Sequence, residues 1–280
     1  MGEIERTKVR VQPVLKLYLD LSKTDYLHFG FWKKGDKLTL ENFQKAQERY
    51  LANLIKFIPK GVKTILDVGC GVGGNARKLA SLGYKVTGIC PDPYQGKLFR
   101  ENTKGKADFK LTTLERYKTD QKFDLILMSE SVQYIPFRDG LKKIKELLKP
   151  DGHLLISDYF KKPSAAKMLN LPSSFLKLYM AEVSRAGLKV VREQDITKGI
   201  TPTLDYGSNV YCNYIKPVLN CIMTTMHVHM PPIHWLFDLF LKIPVKGRSI
   251  RQTIVNNLVP LKRDVFEKYL TYRVMLIKKK

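Results

Sequence analysis

A chain of 280 residues, 44% of them hydrophobic, with a mean hydropathy of -0.23, is long enough for one large domain or one domain with an elaborated lid. Its formal net charge of +23 draws anions, whether nucleic acid, an anionic lipid surface or an acidic small molecule, and does not choose among them. Cys70, Cys90, Cys212 and Cys221 are scattered and form no CxxC pair, which argues against a disulfide framework or a zinc site and for reduced thiols in a cytoplasmic setting.

Met1 to Gln12 is charged and lacks an apolar segment, so no signal peptide is expected. Gly2 suits a myristoylation start, but Arg6 stands where Ser or Thr is wanted. Residues 1 to 38 read as a basic lead-in with scattered aromatics, among them Tyr18, Tyr26, His28 and Trp32. Thr39 is placed to cap a helix with Glu41 in its first turn. Leu40, Phe43, Ala46, Tyr50, Leu51 and Leu54 then recur at helical spacing up to Phe57, before Pro59 and Gly61 close the helix.

An alternation follows. Strands are predicted at Thr64–Val68, Lys85–Ile89, Asp108–Thr112, Phe123–Ser129 and His153–Tyr159, with helices at Gly73–Leu82, Tyr94–Thr103 and Arg138–Leu148. Strands alternating with helices predict right-handed crossovers and a doubly wound, mostly parallel α/β sheet. After Tyr159 the rhythm changes: Ser173–Ala186 reads as a helix, Lys189–Ile196 as a strand, residues 205–262 as irregular and mainly helical, and Tyr269–Ile277 as a last strand. Two terminal strands around a large insertion complete a seven-stranded sheet. The expected organisation is a helical lid segment at 1–60, a cofactor-binding core at 61–204, a helical acceptor-binding insertion at 205–265 and the last core strand at 266–280. The most apolar region, Pro217 to Val245, is broken by Pro231, Pro232 and Asp238, so no membrane span is expected.

The informative stretch is Asp67-Val-Gly-Cys-Gly-Val-Gly-Gly74, where a strand turns into a helix. Gly69, Gly71 and Gly73 let the backbone turn sharply and approach a ligand closely. The helix N-terminus beyond them can meet a carboxylate, and Asp67 can accept from an ammonium. A ligand carrying both groups on one amino-acid tail fits. The spacing Gly69-x-Gly71-x-x-Gly74 also satisfies the dinucleotide fingerprint, which alone is a weak signal. Asp67 and the later segments Phe123-Asp-Leu-Ile126 and Leu147-Leu-Lys-Pro-Asp-Gly-His-Leu-Leu-Ile-Ser157 break the tie.

With these motifs in this order, residues from about 26 to 200 resemble the class I S-adenosylmethionine-dependent methyltransferases. The resemblance is to the branch holding sterol C-methyltransferases, tocopherol methyltransferases and cyclopropane fatty acid synthases. Tyr94-Gln95 after Asp92, the spacing of Glu130, Tyr134 and Pro136, and His28-Phe-Gly-Phe-Trp32 are similar to that branch. It implies S-adenosyl-L-methionine as cofactor, held by Tyr26, Asp67, Gly69, Gly71, Asp92, Gln95, Thr113, Leu114 and Ser129. Three positions depart from the pattern: Cys90 stands where an acidic residue usually holds the ribose, Thr112–Leu114 replaces the Asp before the adenine pocket, and Tyr134 replaces a His.

A sulfonium carries its own reactive methyl, so the protein positions and desolvates. Glu130 follows the fourth strand, at the carboxyl edge where ligands bind in such sheets, and is the candidate general base, with a cofactor or loop contact as the alternative. Tyr134 is the candidate to orient the acceptor. Tyr26, His28 and Trp32 can lid the sulfonium, the rings by cation–π attraction, or form an ordinary aromatic cluster. Asp158-Tyr159 can line the acceptor pocket. His227, His229 and His234 lie among Met and Pro without acidic partners, so no metal is expected.

The acceptor expected is small and apolar or lipid-like: an isoprenoid, sterol, quinone or fatty acyl chain. A small-amine or phenol methyltransferase is the alternative. No Asn-Pro-Pro-Tyr-like tetrad follows the fourth strand, so nucleic acid is not an expected partner. Trp235-Leu-Phe-Asp-Leu-Phe-Leu241, with Lys242, Lys246, Arg248, Arg251, Lys262 and Arg263, can attach a cytoplasmic protein peripherally to an anionic membrane surface, or the aromatics can close the acceptor pocket while the charges form a solvated face.

Overall fold

The computed structural model describes residues 11–165, 174–245, 248–249 and 261–280. Helix α1, Pro13–Ser22, opens the chain with Pro at its first position, where the missing N–H has no partner to lose. Helix α2 is Leu40–Ile55, and the Thr39 hydroxyl accepts from the Asn42 N–H as its cap. The core then alternates: β1 Thr64–Val68, α3 Gly74–Ser81, β2 Lys85–Cys90, α4 Pro93–Thr103, β3 Asp108–Leu111, β4 Phe123–Ser129, α5 Phe137–Leu147, β5 Leu148–Lys161, α6 Leu176–Arg185 and β6 Leu188–Asp195. Short α7, Thr197–Ile200, leads to α8, Pro202–Val210, which passes through a π-helical turn, Tyr211–Ile215, into α9, Lys216–His229. Helix α10, Pro231–Lys242, returns, and α11, Arg263–Tyr269, precedes β7, Leu270–Lys279.

The sheet has seven strands in the order β3-β2-β1-β4-β5-β7-β6. Strands β1 to β5 pair in parallel, and β7 runs antiparallel between β5 and β6. Two further residue pairs, Pro244–Val245 and Arg248–Ser249, form a separate two-stranded ribbon. This is the doubly wound fold that the alternation predicts. Both faces of the sheet are covered, so successive strand residues go to opposite layers. Ile65, Leu125, Leu127, Leu155 and Val274 join Tyr50, Leu54, Leu79 and Phe99 on one side. Leu66, Ile126, Met128, Leu154 and Met275 join Leu141, Ile144, Tyr179 and Val183 on the other.

Several elements differ from the sequence reading, among them α7 and also α11, which takes residues 263–269 where the last core strand is expected from 266. Strand β5 begins at Leu148 and continues to Lys161, because Leu148 pairs with Phe123 at one end and Phe160 and Lys161 pair with Thr271 and Leu270 at the other. A lone period-2 pattern does not contain these long-range pairings. Helix α1 lies within the stretch read as a lead-in, although Val14, Leu17, Tyr18 and Leu21 have helical spacing. Val14, Leu17 and Leu21 are exposed, and Tyr18 docks by donating its hydroxyl to the Tyr26 carbonyl at 2.9 Å.

Candidate active site

The carboxyl ends of β1, β2 and β4 open into a cavity of 530 Å³. Its walls come from the 25–28 segment, the glycine turn 68–72 with Gly74 and Asn75, the end of β2 through Gln95, residues 112–115 after β3, and residues 129–135 after β4. Crossovers leave a crevice at this edge because α3 and α5 depart to opposite faces of the sheet. All the lining residues precede Pro136, and none belongs to the described part of the 205–265 insertion.

The glycine turn is shaped for close approach. Gly69 and Gly71 have φ of 75° and 54°, in the left-handed region. A Cβ on Gly69 would stand 2.5 Å from the Ser131 Cβ, and one on Gly71 would stand 2.9 Å from a Leu27 methyl. The turn therefore presses against the loop after β4 and the 25–28 segment, with no room for side chains. Asp67, just before it, does not line the cavity. It is buried at 1% exposure and its Oδ2 has no partner among the described residues. Burial raises its carboxyl to about 7. Its charge also adds to burial in raising the thiols of Cys70 and Cys90, both of which do line the cavity.

Asp92 and Gln95 meet at the start of α4, where the Asp92 carboxylate accepts from the Gln95 N–H at 2.9 Å and caps the helix. The Gln12 side-chain amide also donates to Asp92, which ties the residue before α1 to this wall. The Cys90 thiol donates to the Gln95 side-chain Oε1 at 3.6 Å, so the thiol at the usual acidic position packs on a side chain in the first turn of α4. Thr113 and Leu114 line the adjoining wall.

Glu130 is the most constrained residue of the site. Its backbone has φ of 57°, which for a residue with a side chain is sparsely populated, and its N–H donates to the Ser157 carbonyl at 2.9 Å. Its Oε1 accepts from the Phe29 N–H at 2.8 Å and from the Tyr272 hydroxyl at 2.7 Å. Burial outweighs these bonds and pushes the carboxyl up to about 8. The Tyr50 hydroxyl lies 2.8 Å from that of Tyr272, 2.7 Å from Ser157 Oγ and 3.1 Å from Ser129 Oγ. A hydroxyl chain thus runs from the sheet to the carboxyl that lines the cavity.

His28 stacks on Tyr50 with ring centroids 4.1 Å apart, and Tyr26 lies beside it at 5.1 Å. Burial lowers His28 to about 4, which keeps the ring neutral near pH 7, and its Nε2 has no partner among the described residues. Gln47 holds this segment from behind, donating to the Tyr26 and His28 carbonyls. Tyr134 stands at the cavity rim, 73% exposed.

The structure therefore brings Tyr26, Gly69, Gly71, Asp92, Gln95, Thr113, Leu114, Ser129, Glu130 and Tyr134 to one cavity, with Asp67 behind its wall. Two suggested neighbours fall elsewhere. Trp32 packs with Phe43 and Tyr206 and donates its indole N–H to Thr203 at 2.8 Å, away from the cavity. Asp158 is fully buried and accepts from the Val132 and Tyr159 N–H groups, so it braces the loop after β4 and does not line a pocket. Tyr159 packs toward Phe266. Sequence reasoning missed Tyr50 and Tyr272 as site residues, since a Tyr at a strand or helix core position looks the same whether its hydroxyl is idle or bonded. Among the described residues no three His, Cys, Asp or Glu gather as metal ligands.

Comparison with known proteins supplies the class. Residues 43–198 match the family described as a methyltransferase domain. The chain belongs to that family, as the motif order in the sequence suggests. Tocopherol O-methyltransferase of Arabidopsis thaliana is 32% identical over 151 residues, 47% of this chain and 43% of that protein. The 2-methyl-6-phytyl-1,4-hydroquinone methyltransferase of a Synechocystis strain is 28% identical over 156 residues, 52% of this chain and 48% of that protein. The chain thus matches less than half the length of these two relatives. The structure of the cyclopropane synthase MmaA2 from Mycobacterium tuberculosis superimposes with a TM-score of 0.67 at 15% identity, covering 99% of each chain. The fold is thereby that of the class I methyltransferases.

Proposed function

We propose that the protein is an S-adenosyl-L-methionine-dependent methyltransferase whose acceptor is a small apolar or lipid-like molecule of the isoprenoid, sterol, quinone or fatty acyl type. The observation that carries this reading is the buried, partnerless Oδ2 of Asp67 behind a glycine turn too tight for side chains, at the edge of the cavity. A cationic ammonium is the partner such a carboxyl lacks, and the turn with the N-terminus of α3 suits the adjoining carboxylate. Asp92 and Gln95 are placed for the ribose hydroxyls, and Thr113, Leu114 and Ser129 for the adenine side of the cavity, with Tyr26 over the amino-acid end. The cofactor supplies an electrophilic methyl on a sulfonium.

Glu130 serves as the proton acceptor. A carboxyl that titrates near 8 is close to the working pH, where a base both holds and yields a proton effectively. This also favours acceptors with a proton to lose, so a phenolic or hydroquinone oxygen, or an amine, remains a second reading. Tyr134 at the rim orients the acceptor as it enters. The named relatives act, by their names, on tocopherol and on a phytyl hydroquinone, which supports a prenylated or otherwise apolar acceptor.

In this reading residues 1–60 form the lid, 61–204 with 266–280 the cofactor-binding core, and 205–265 the part that collects the acceptor. The protein works at an anionic membrane face, to which its charge of +23 draws it. Among the described residues no helix is long and apolar enough to cross a membrane. The decisive experiment supplies methyl-labelled cofactor and cell extract and follows the label. Entry into organic-soluble lipid supports the apolar acceptor, entry into a water-soluble metabolite supports the amine or phenol, and absence of transfer to either overturns the activity.

A further inference from the structure

From Pro202 the chain leaves the core as one helical rod. Helix α8, the π turn and α9 follow without a break, since Val210, Ile215 and Lys216 all keep right-handed helical dihedrals. After Met230 the chain reverses into α10, which packs on α9. No residue of the π turn, α9 or α10 is buried. Yet Val218, Leu219, Ile222, Ile233, Trp235 and Phe240 are exposed there, Trp235 by 64%. A helix at a protein surface carries one apolar stripe and covers it with the core; this pair exposes its apolar residues instead.

Charge is sparse along the hairpin. On α10, His234, Asp238 and Lys242 recur at every fourth residue and form one narrow stripe. His234 meets His227 of α9 across the hairpin, with ring centroids 4.9 Å apart, and Asp238 pairs with Lys242 at 2.7 Å. From Pro217 to Phe237 the sequence has no Asp, Glu, Lys or Arg. The charged residues Lys216, Asp238 and Lys242 all sit toward the base, away from the Met230–Pro231 turn. Half-buried His234 and Asp238, outward apolar side chains and a tip without charge suit an apolar surrounding.

Backbone and length agree. A helix start leaves amide donors unsatisfied, but Pro231 and Pro232 have none, and the His234 N–H donates to the Met230 carbonyl at 3.0 Å. With 14 and 12 residues, α9 and α10 are about 20 Å long. One leaflet with its head groups is about 20 Å thick, half of a bilayer. Of the nearby cations, Lys242 is paired with Asp238 and Arg263 is engaged by Asp205 and Glu267, while Lys246 and Arg251 lie outside the described residues.

We propose that the hairpin Tyr211–Ile243 is a monotopic anchor that enters one leaflet of a lipid bilayer, with the Met230–Pro231 turn leading. This rests on the membrane location within the reading above and replaces attraction to head groups by insertion into acyl chains. The test uses the full chain with vesicles of neutral phosphatidylcholine, and with vesicles containing phosphatidylserine, at low salt and at roughly 0.5 M salt, where charge is screened within a few ångström. Insertion requires co-sedimentation with both vesicle types at both salt levels. It also requires quenching of tryptophan emission by lipids brominated on the acyl chain; Trp235 is the reporter, since Trp32 is packed inside the protein. The double variant Leu236→Asp, Phe240→Asp replaces two exposed residues, so it should fold, bind cofactor normally in calorimetry and lose vesicle partitioning at least tenfold. Binding to anionic vesicles alone, released by salt, overturns insertion while leaving the membrane location standing. A stable dimer in solution that the double variant splits, without vesicle binding, assigns the hairpin to a second copy and overturns the proposal too. Loss of cofactor binding by the wild-type chain is a separate failure, that of the methyltransferase reading.

Discussion

The hydroxyl of Tyr272, on the last strand, donates to Oε1 of Glu130, more than half the sequence away, over 2.7 Å. The bond favours the carboxylate and so opposes the burial that raises Glu130 to about 8. Tyr272→Phe removes that donor while keeping the ring in the core. A hydrogen bond to a charged group contributes about 1.5–3 kcal/mol, which corresponds to roughly one to two pH units. The activity of Tyr272→Phe should therefore rise with pH along a limb displaced upward by about that amount. An unshifted pH–rate profile would make Tyr272 a packing residue only.

Glu130→Gln keeps the acceptor for the Phe29 N–H and cannot take a proton. Its turnover is expected to fall roughly a hundredfold to ten-thousandfold, the usual loss of one positioned base. Cofactor affinity by calorimetry should stay near normal. Full turnover in this variant would assign Glu130 to bracing the 25–29 segment through its bond to Phe29.

Cofactor affinity should depend on Asp67 and Gly71. Asp67→Ala removes the buried carboxyl with the open Oδ2, and Gly71→Val puts a branched side chain where a Cβ alone is already 2.9 Å from Leu27. Both variants should lose at least tenfold in affinity while folded, as judged by circular dichroism. Affinity close to wild type in both, or binding of NAD in place of S-adenosylmethionine, would remove the glycine turn from the cofactor site.

Asp67 and Asp158 each titrate at about 7, raised by burial from the usual 3.8. Between those values the folded chain holds protons that the unfolded chain has released, so stability declines as pH rises. The contribution is whole below about pH 4 and is lost on passing through about pH 7. Thermal unfolding of the free protein should therefore show a lower midpoint at pH 8 than at pH 5, and Asp67→Asn should flatten the difference. The cofactor should restore the Asp67 share of the loss by supplying that carboxyl with a cation. A midpoint that rises over this range would contradict the buried, partnerless state of Asp67.

The order of strands and helices, the turn at 67–74 and the positions of Asp92, Gln95, Glu130 and Tyr134 could be read from the chain because each rests on local chemistry. Period-2 and period-3.6 patterns, caps such as Thr39 and Asp92, and glycines with left-handed dihedrals act over a few residues, and so does the motif order that places the chain among the methyltransferases. Pairings between distant segments were not legible. The chain alone does not say that Leu148 extends β5 by meeting Phe123, that Trp32 turns away to Thr203, or that Asp158 is spent on the Val132 and Tyr159 amides. Nor does it say that Tyr50 and Tyr272 join their hydroxyls beneath Glu130, because the bond depends on the antiparallel insertion of β7 between β5 and β6. The apolar residues of 211–243 show the same division. Their hydrophobicity is plain in the sequence, but only the tertiary structure decides that they face outward, since burial is a property of what the rest of the chain leaves uncovered.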